Sequence, residues 1–190
     1  MTDTNITKML LANSLKDLMN KEEFDKISVD DIVKNCELTR QTFYYHFKDK
    51  YDLMNWIYYN ETKKFMINYN KIENWTDGLK DICLYIQKNK TFYINALNTK
   101  GQNSFPEYLH DYITEVSTSV IKNVLSQEYD SRKWKFVVEF FSTSLVGIII
   151  HWANDNMEED SSEYIDQIKN IFDGNVYYEL QKSNRFKDKK

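Results

Sequence analysis

Residues 28–53, SVDDIVKNCELTRQTFYYHFKDKYDL, decide how this chain is read. Ser28 is a natural helix N-cap, and Asp31 three residues on completes a capping box, so the pattern predicts a helix that starts at Val29. Ile27 and Ile32 stand where a hydrophobic staple would close over that start. Val29, Ile32, Val33 and Cys36 recur at i, i+3, i+4 and i+7, which makes one buried stripe. The device repeats at Thr39. That residue can cap a second helix, with Leu38 and Phe43 as its staple pair, and Phe43 and Phe47, four apart, give it one buried edge.

The second helix leaves Arg40, Gln41, Thr42, Tyr44, Tyr45 and His46 with little call on a core. In a helix-turn-helix the second helix lies in the major groove of DNA, its N-terminal residues nearest the bases. Arg and Gln can pair with purine edges there, and Thr and Tyr hydroxyls suit phosphate oxygens. Short capped helices with two aromatics also occur in ordinary helical bundles, so the residues by themselves leave both readings open.

LTRQTFYYHFKDKYDL (38–53) resembles the recognition helix and following helix start of TetR-type transcriptional regulators. Their pattern is a small polar cap, a variable pair, Thr-hydrophobic-Tyr-x-His-Phe, then a Lys and a Leu. Thr39, Thr42, Phe43, Tyr44, His46, Phe47, Lys50 and Leu53 meet it here, and Ile27, Ser28, Ile32 and Val33 extend the likeness. The resemblance implies a homodimer on a pseudo-palindromic double-stranded operator. It also implies DNA contacts from Ser28, Thr39, Arg40, Gln41, Thr42, Tyr44, Tyr45, His46, Lys48 and Lys50, with Lys50 beside the duplex backbone. Two departures stand out. The family usually carries Gly in the turn, where this chain has Glu37, and often Gly before the aromatic ahead of the first motif helix, where it has Glu23. A left-handed Glu37 would cost about 1–2 kcal/mol relative to Gly.

The wider composition fits an all-α protein. The chain has 190 residues, 42% of them hydrophobic and 15% aromatic, enough for a sizeable core. No Gly or Pro precedes Gly78, which predicts helices with short connections. Net charge is −4, and residues 1–54 hold eight Lys and Arg against ten Asp and Glu, which counts against a general DNA-coating protein. Positive charge is local: Arg40, Lys48 and Lys50 cluster against the single acid Asp49 in residues 39–50. Cys36 and Cys83 are the only cysteines, and Cys36 falls on the buried stripe, so a disulfide is not expected and a reducing cytoplasm is. The N-terminus has no signal-peptide pattern, and Leu145–Ile150, the most apolar stretch, is too short to span a bilayer, so no membrane is expected.

Outward from the motif, an N-terminal three-helix helix-turn-helix domain (1–50) and a larger helical bundle that dimerises (51–190) are expected, joined by a helix at about 50–72. A first helix over 5–20 offers Ile6, Met9, Leu10, Leu15, Leu18 and Met19 to brace the motif, and Asp49 with Asp52 can cap the connecting helix. Further helices are predicted around Leu79–Ile86, Phe92–Leu97, Tyr108–Leu125 and Trp134–Trp152, then along the stripe Tyr164, Ile165, Ile168, Ile171 and Phe172. Trp134–Trp152 is nearly apolar on all sides, so that helix is either central or at a subunit interface. The last two helices are the expected dimer interface, through Ile149, Trp152, Tyr164, Ile165, Ile168, Ile171 and Phe172. Cys83, Tyr93, Tyr112, Trp134, Phe141 and His151, with Tyr85 and Trp152, are candidates to line an effector cavity. The C-terminal half loosely resembles a subgroup that includes activators of dihydroxyacetone kinase operons, which implies a protein co-activator as an alternative to a small-molecule effector. No phosphate loop, nucleophile elbow or metal-ligand spacing is present, so no cofactor, metal site or catalytic residue is expected. The rival readings are a helical-bundle enzyme and a metal-responsive sensor without DNA binding.

Overall fold

A computed structural model describes residues 3–68, 75–125 and 131–172. Among these there are nine α-helices and no strand: α1 (Asp3–Met19), α2 (Val29–Asn35), α3 (Arg40–His46), α4 (Lys50–Asn68), α5 (Trp75–Lys88), α6 (Lys90–Leu97), α7 (Phe105–Leu125), α8 (Ser131–Asn154) and α9 (Ser161–Phe172). A one-turn 3-10 helix, Phe24–Lys26, precedes α2. The connecting helix expected to reach residue 72 is α4. Its described part ends at Asn68, and residues 69–72 lie outside the described residues, as does the polar tail from 182.

The first three helices form a head. Leu11, Leu15 and Met19 of α1, spaced by four, are at most 1% exposed and meet Ile32, Val33, Phe43, Phe47 and Leu53 in one core. Ser14 donates to the Ile32 carbonyl at 2.6 Å and accepts from the Asn35 amide at 3.1 Å, which fixes α1 against α2. The bracing face expected on α1 is corrected in part. Ile6, Met9 and Leu10 are 47%, 47% and 44% exposed, while Leu11 is buried. With apolar residues at 6, 9, 10, 11, 15, 18 and 19, two stripes were available, and the packing of α2 and α4 selects the one through 11, 15 and 19.

The core continues without interruption into the bundle. Helix α8 packs its inner face (Val138, Leu145, Val146, Ile149, Trp152, Ala153) on α6 and α7, and α9 lies on α5. Trp134–Asn154 is apolar and long enough to cross a membrane by length and composition. Here it is a bundle helix with one face buried and Phe136, Val137 and Phe140 left exposed. Asp160 caps α9 by accepting from the amides of Ser162 (2.9 Å) and Glu163 (3.2 Å), and Lys80 on α5 pairs with Asp166 on α9 at 2.6 Å.

Candidate nucleic-acid interface

Both caps form as their spacing requires. The Ser28 hydroxyl accepts from the Asp31 amide (3.2 Å) while the Ser28 amide donates to the Asp31 carboxylate (2.9 Å), a complete capping box. These bonds to the charged form hold the Asp31 carboxyl below its ordinary pKa, the Ser28 hydroxyl first and its amide second. Ser28 is therefore engaged in its own helix start. The turn closes as a Schellman motif: the Leu38 amide donates to the Val33 carbonyl at 2.8 Å, the Glu37 amide to the Lys34 carbonyl at 3.3 Å, and Glu37 sits at φ 55°. So the turn keeps the left-handed residue that glycine would supply, at the strain expected for Glu37. Glu23, by contrast, is extended at φ −66° and needs no glycine.

Thr39 then caps α3 by accepting from the Thr42 amide at 3.1 Å, and its hydroxyl also contacts the Thr42 hydroxyl at 2.9 Å. Phe43 and Phe47 root the helix at 0% and 3% exposure. The remaining side chains lie on the opposite side: Arg40, Gln41, Tyr44 and Tyr45 are exposed, with Tyr45 at 79%, and Thr42 and His46 are half-buried. Arg40 pairs with Asp30 of α2 at 3.2 Å and lies 5.9 Å from the Tyr44 ring centroid. The Tyr44 hydroxyl, then the Asp30 carboxylate, raise the guanidinium's pKa above its ordinary value. His46 meets the edge of Tyr45 at 4.9 Å, and burial followed by the nearby Lys8 ammonium lowers its pKa below 6.5.

The two lysines behind the reading helix part company. Lys48 is exposed, and its amide donates to Asp52 at 3.0 Å. Lys50 turns inward. Its ammonium donates to the carbonyls of Phe24 (2.7 Å), Ile27 (2.7 Å) and Asp25 (3.2 Å) and lies 4.4 Å from the Phe24 ring centroid. Burial lowers its pKa, opposed by Asp25. This geometry gives Lys50 a duty that the sequence did not suggest: it satisfies the carbonyls of the 3-10 turn and ties α4 to the segment that enters α2. Asp49 caps α4 by accepting from the Asp52 amide at 2.8 Å.

The head is fastened to the bundle at two points. Asn95 of α6 accepts from the Phe24 amide (2.8 Å) and donates to the carbonyls of Glu22 (2.7 Å) and Met19 (3.1 Å). Glu61 of α4 takes the Lys16 ammonium of α1 at 2.7 Å and the Tyr93 hydroxyl of α6 at 3.0 Å. Neither Asn95 nor Glu61 carries a motif signal, so sequence reasoning missed both.

In the bundle, Tyr93 and Tyr112 join a packed aromatic cluster around Tyr58, whose ring centroid is 5.0 Å from Phe105, 6.3 Å from Tyr93 and 6.1 Å from Tyr112. Cys83 is buried beneath the same core, its thiol pushed up to about 12 by desolvation. Trp134 and Phe141 are half-buried on α8. His151 is exposed and lines a surface cleft of about 480 Å³ with Trp152, Asp155, Glu158, Glu159 and Tyr164. Of the expected lining residues, His151 and Trp152 border this cleft, and Cys83, Tyr93 and Tyr112 lie in or against the packed core. Among the described residues, no three His, Cys, Asp or Glu side chains converge as metal ligands.

The residues expected at a partner surface are mostly buried within the single chain. Ile149, Trp152, Ile165 and Ile168 are 1–4% exposed within the single chain, and Tyr164 is half-buried with its hydroxyl donating to the Ile148 carbonyl at 2.9 Å. They close the protomer's own core. Ile171 is 57% exposed, and the side chain of Phe172 lies outside the described residues. The larger exposed apolar group is Phe136 (76%), Phe140 (60%) and Val137 (43%), with the two rings stacked at 6.3 Å.

Residues 14–56 match the family described as bacterial regulatory proteins, tetR family, and residues 73–174 match a transcriptional regulator C-terminal region of the same family. The HTH-type dhaKLM operon transcriptional activator DhaS of Lactococcus lactis is 32% identical over 88 residues, 46% of this chain and 47% of that protein. The match therefore spans about half the length of that curated relative. Among solved structures, a dihydroxyacetone kinase operon activator DhaS aligns with a TM-score of 0.65 at 21% identity, over 91% of this chain and 97% of the other. The fatty acid degradation regulator FadR from Bacillus halodurans aligns with a TM-score of 0.59 at 13% identity, over 90% and 96%. At these identities the structural likeness shows a shared fold.

Proposed function

This chain belongs to the TetR family of bacterial transcriptional regulators, and from that premise we propose that it binds a pseudo-palindromic operator as a cytoplasmic homodimer, reading bases through α3. The observation that carries this reading is the division of α3 into two sides. Phe43 and Phe47 are sunk in the core, and Arg40, Gln41, Tyr44 and Tyr45 stay exposed outside it. Arg40 and Gln41 are the base readers, Thr42, Tyr44, Tyr45 and Lys48 contact the backbone, and Ser28, Thr39 and Lys50 hold the reading helix in place. The overall negative charge then confines binding to this one surface. A footprint on the intergenic DNA beside the chain's own gene tests the proposal. The expected result is a protected pseudo-palindrome whose binding weakens steeply with salt. Protection that ignores sequence, or none at low salt, would sink it.

For the dimer we propose Phe136, Val137, Phe140 and Ile171 as the partner surface, because among the described residues they are the large apolar side chains of α8 and α9 that the protomer leaves exposed. Phe140→Asp should give a folded monomer by light scattering. A dimer that survives this change would move the interface elsewhere. Effector control is proposed to reach the head through α6. A small molecule or protein co-activator that shifts α6 would act directly on Asn95 and on the Tyr93–Glu61–Lys16 chain, and so change the share of heads set for DNA. The relatives named as operon activators make activation the sign of regulation to test first. No catalytic role is proposed.

A further inference from the structure

Arg40, the residue best placed to read a base, is not splayed into solvent. Its Nη1 donates to Asp30 Oδ2 at 3.2 Å across the turn between α2 and α3, and its guanidinium lies 5.9 Å from the Tyr44 ring centroid. The Asp30 side chain is 44% exposed and that of Arg40 60%, so both partners of the pair remain open to solvent. Asp30 has no cap to make. The Ser28 hydroxyl and amide both go to Asp31, one residue on. Its carboxylate is therefore available to Arg40.

We propose that Asp30 sets the specificity of the head by holding Arg40 in an internal ion pair whose negative charge disfavours a phosphate contact and leaves the contact to a neutral purine edge less affected. A phosphate diester can offer the guanidinium fork two oxygens, but it brings the same negative charge that Asp30 already supplies, so exchanging one anion for the other adds little net attraction. A guanine edge offers two acceptors in the plane of the guanidinium fork, O6 and N7, which a single Asp30 oxygen on Nη1 does not match. Asp30 also places a negative charge beside any phosphate that Arg40 might grasp. Both effects weaken indiscriminate contacts more than the cognate one, because specificity is a difference between two affinities.

The inference rests on the reading of the head as DNA-binding, and the test separates the two. The parent protein first selects duplexes from a random-sequence library; the winning duplex and its scrambled version are the probes. Fluorescence anisotropy over a salt series is then run on the parent, Asp30→Asn, Asp30→Ser, Arg40→Ala and the Asp30→Asn/Arg40→Ala double variant. The expected result is that either Asp30 variant binds the scrambled duplex about tenfold more tightly, with a salt slope steeper by about 1, while affinity for the selected duplex changes less than about threefold. In the Arg40→Ala background, Asp30→Asn should no longer change discrimination. Glu37→Gln, an exposed carboxylate on the same turn, controls for simple loss of negative charge and should leave discrimination as it was. Equal strengthening on both duplexes, or a change that persists without Arg40, overturns the role of Asp30 while leaving DNA binding intact. Loss of cognate binding in folded Asp30→Asn also overturns it, since that would make Asp30 an orienter. A parent that enriches no sequence overturns this proposal and the DNA-binding reading together.

Discussion

The head and the α8–α9 pair are both made of amphipathic helices, yet they are specified in different ways. In residues 28–53 the contacts that set the helix ends lie within five residues in sequence: Ser28 with Asp31, Leu38 with Val33, Thr39 with Thr42, Asp49 with Asp52. In α8 and α9 the decisive choice is which apolar side faces inward, and distant elements make it, α6 and α7 for α8 and α5 for α9. Caps and turns act through local geometry and leave a mark at fixed spacing. Burial is a tertiary outcome, and a helix that is apolar all round offers several equivalent faces.

The largest expected effect tests the distant side of this comparison. Ile168→Asp, 4% exposed beneath α5, should destabilise the protomer by about 3–5 kcal/mol in denaturant unfolding, because it buries an unpaired charge. Ile171→Asp, one turn away and 57% exposed in the single chain, should shift the stability of the monomeric Phe140→Asp protein by no more than about 0.5 kcal/mol. Equal effects would mean that the inner face of α9 has been misassigned.

On the head, Lys50→Met should lower stability by about 1–3 kcal/mol, since three carbonyls lose a charged donor. The same variant distinguishes a holding lysine from a phosphate contact. A holding role leaves the slope of log affinity against log salt unchanged, whereas a lost phosphate contact lowers it by about 1. Asn95→Ala tests the joint between the two regions. Loss of its bonds should cost about 1–2 kcal/mol, read as faster hydrogen exchange at the Phe24 amide, which Asn95 holds in the parent. Unchanged protection there would remove Asn95 from the coupling route.

Glu37→Gly should raise stability by about 1 kcal/mol, because glycine accepts the φ of 55° without a Cβ clash. A neutral or harmful result would show that the turn tolerates Glu37 without strain. The smallest effect concerns His46. Its folded pKa lies below 6.5, so on acidification the unfolded chain takes up the proton first. This contribution is constant above about pH 6.5 and declines below it, reaching its limit once pH falls past the lowered folded value. His46→Gln should flatten that part of the stability profile, and an unaltered profile would assign the decline to other groups.

Much of the head was legible because its sequence is redundant. Capping box, staple pairs and apolar stripe each point to the same two helices, and the resemblance to a known family rests on those same residues. What sequence missed there were contacts between elements: Lys50 folded back onto the 3-10 turn, Asn95 reaching from α6, Asp30 holding Arg40. In the bundle, spacing located the helices and their apolar content but not their partners. The expected interface residues Ile149, Trp152, Ile165 and Ile168 proved to be core, and the proposed effector lining divided between a packed tyrosine cluster and an exposed cleft.

The sequence by itself determined where α2, α3 and α4 begin and which residues of α3 are buried, because capping, staples and four-residue spacing are short-range consequences of backbone hydrogen bonding. Only the tertiary structure decided which of two apolar stripes on α1 is buried, which apolar residues of α8 remain exposed, and whether a given lysine faces solvent or a row of carbonyls. Those outcomes depend on the surface that neighbouring helices present, and no local pattern encodes that surface.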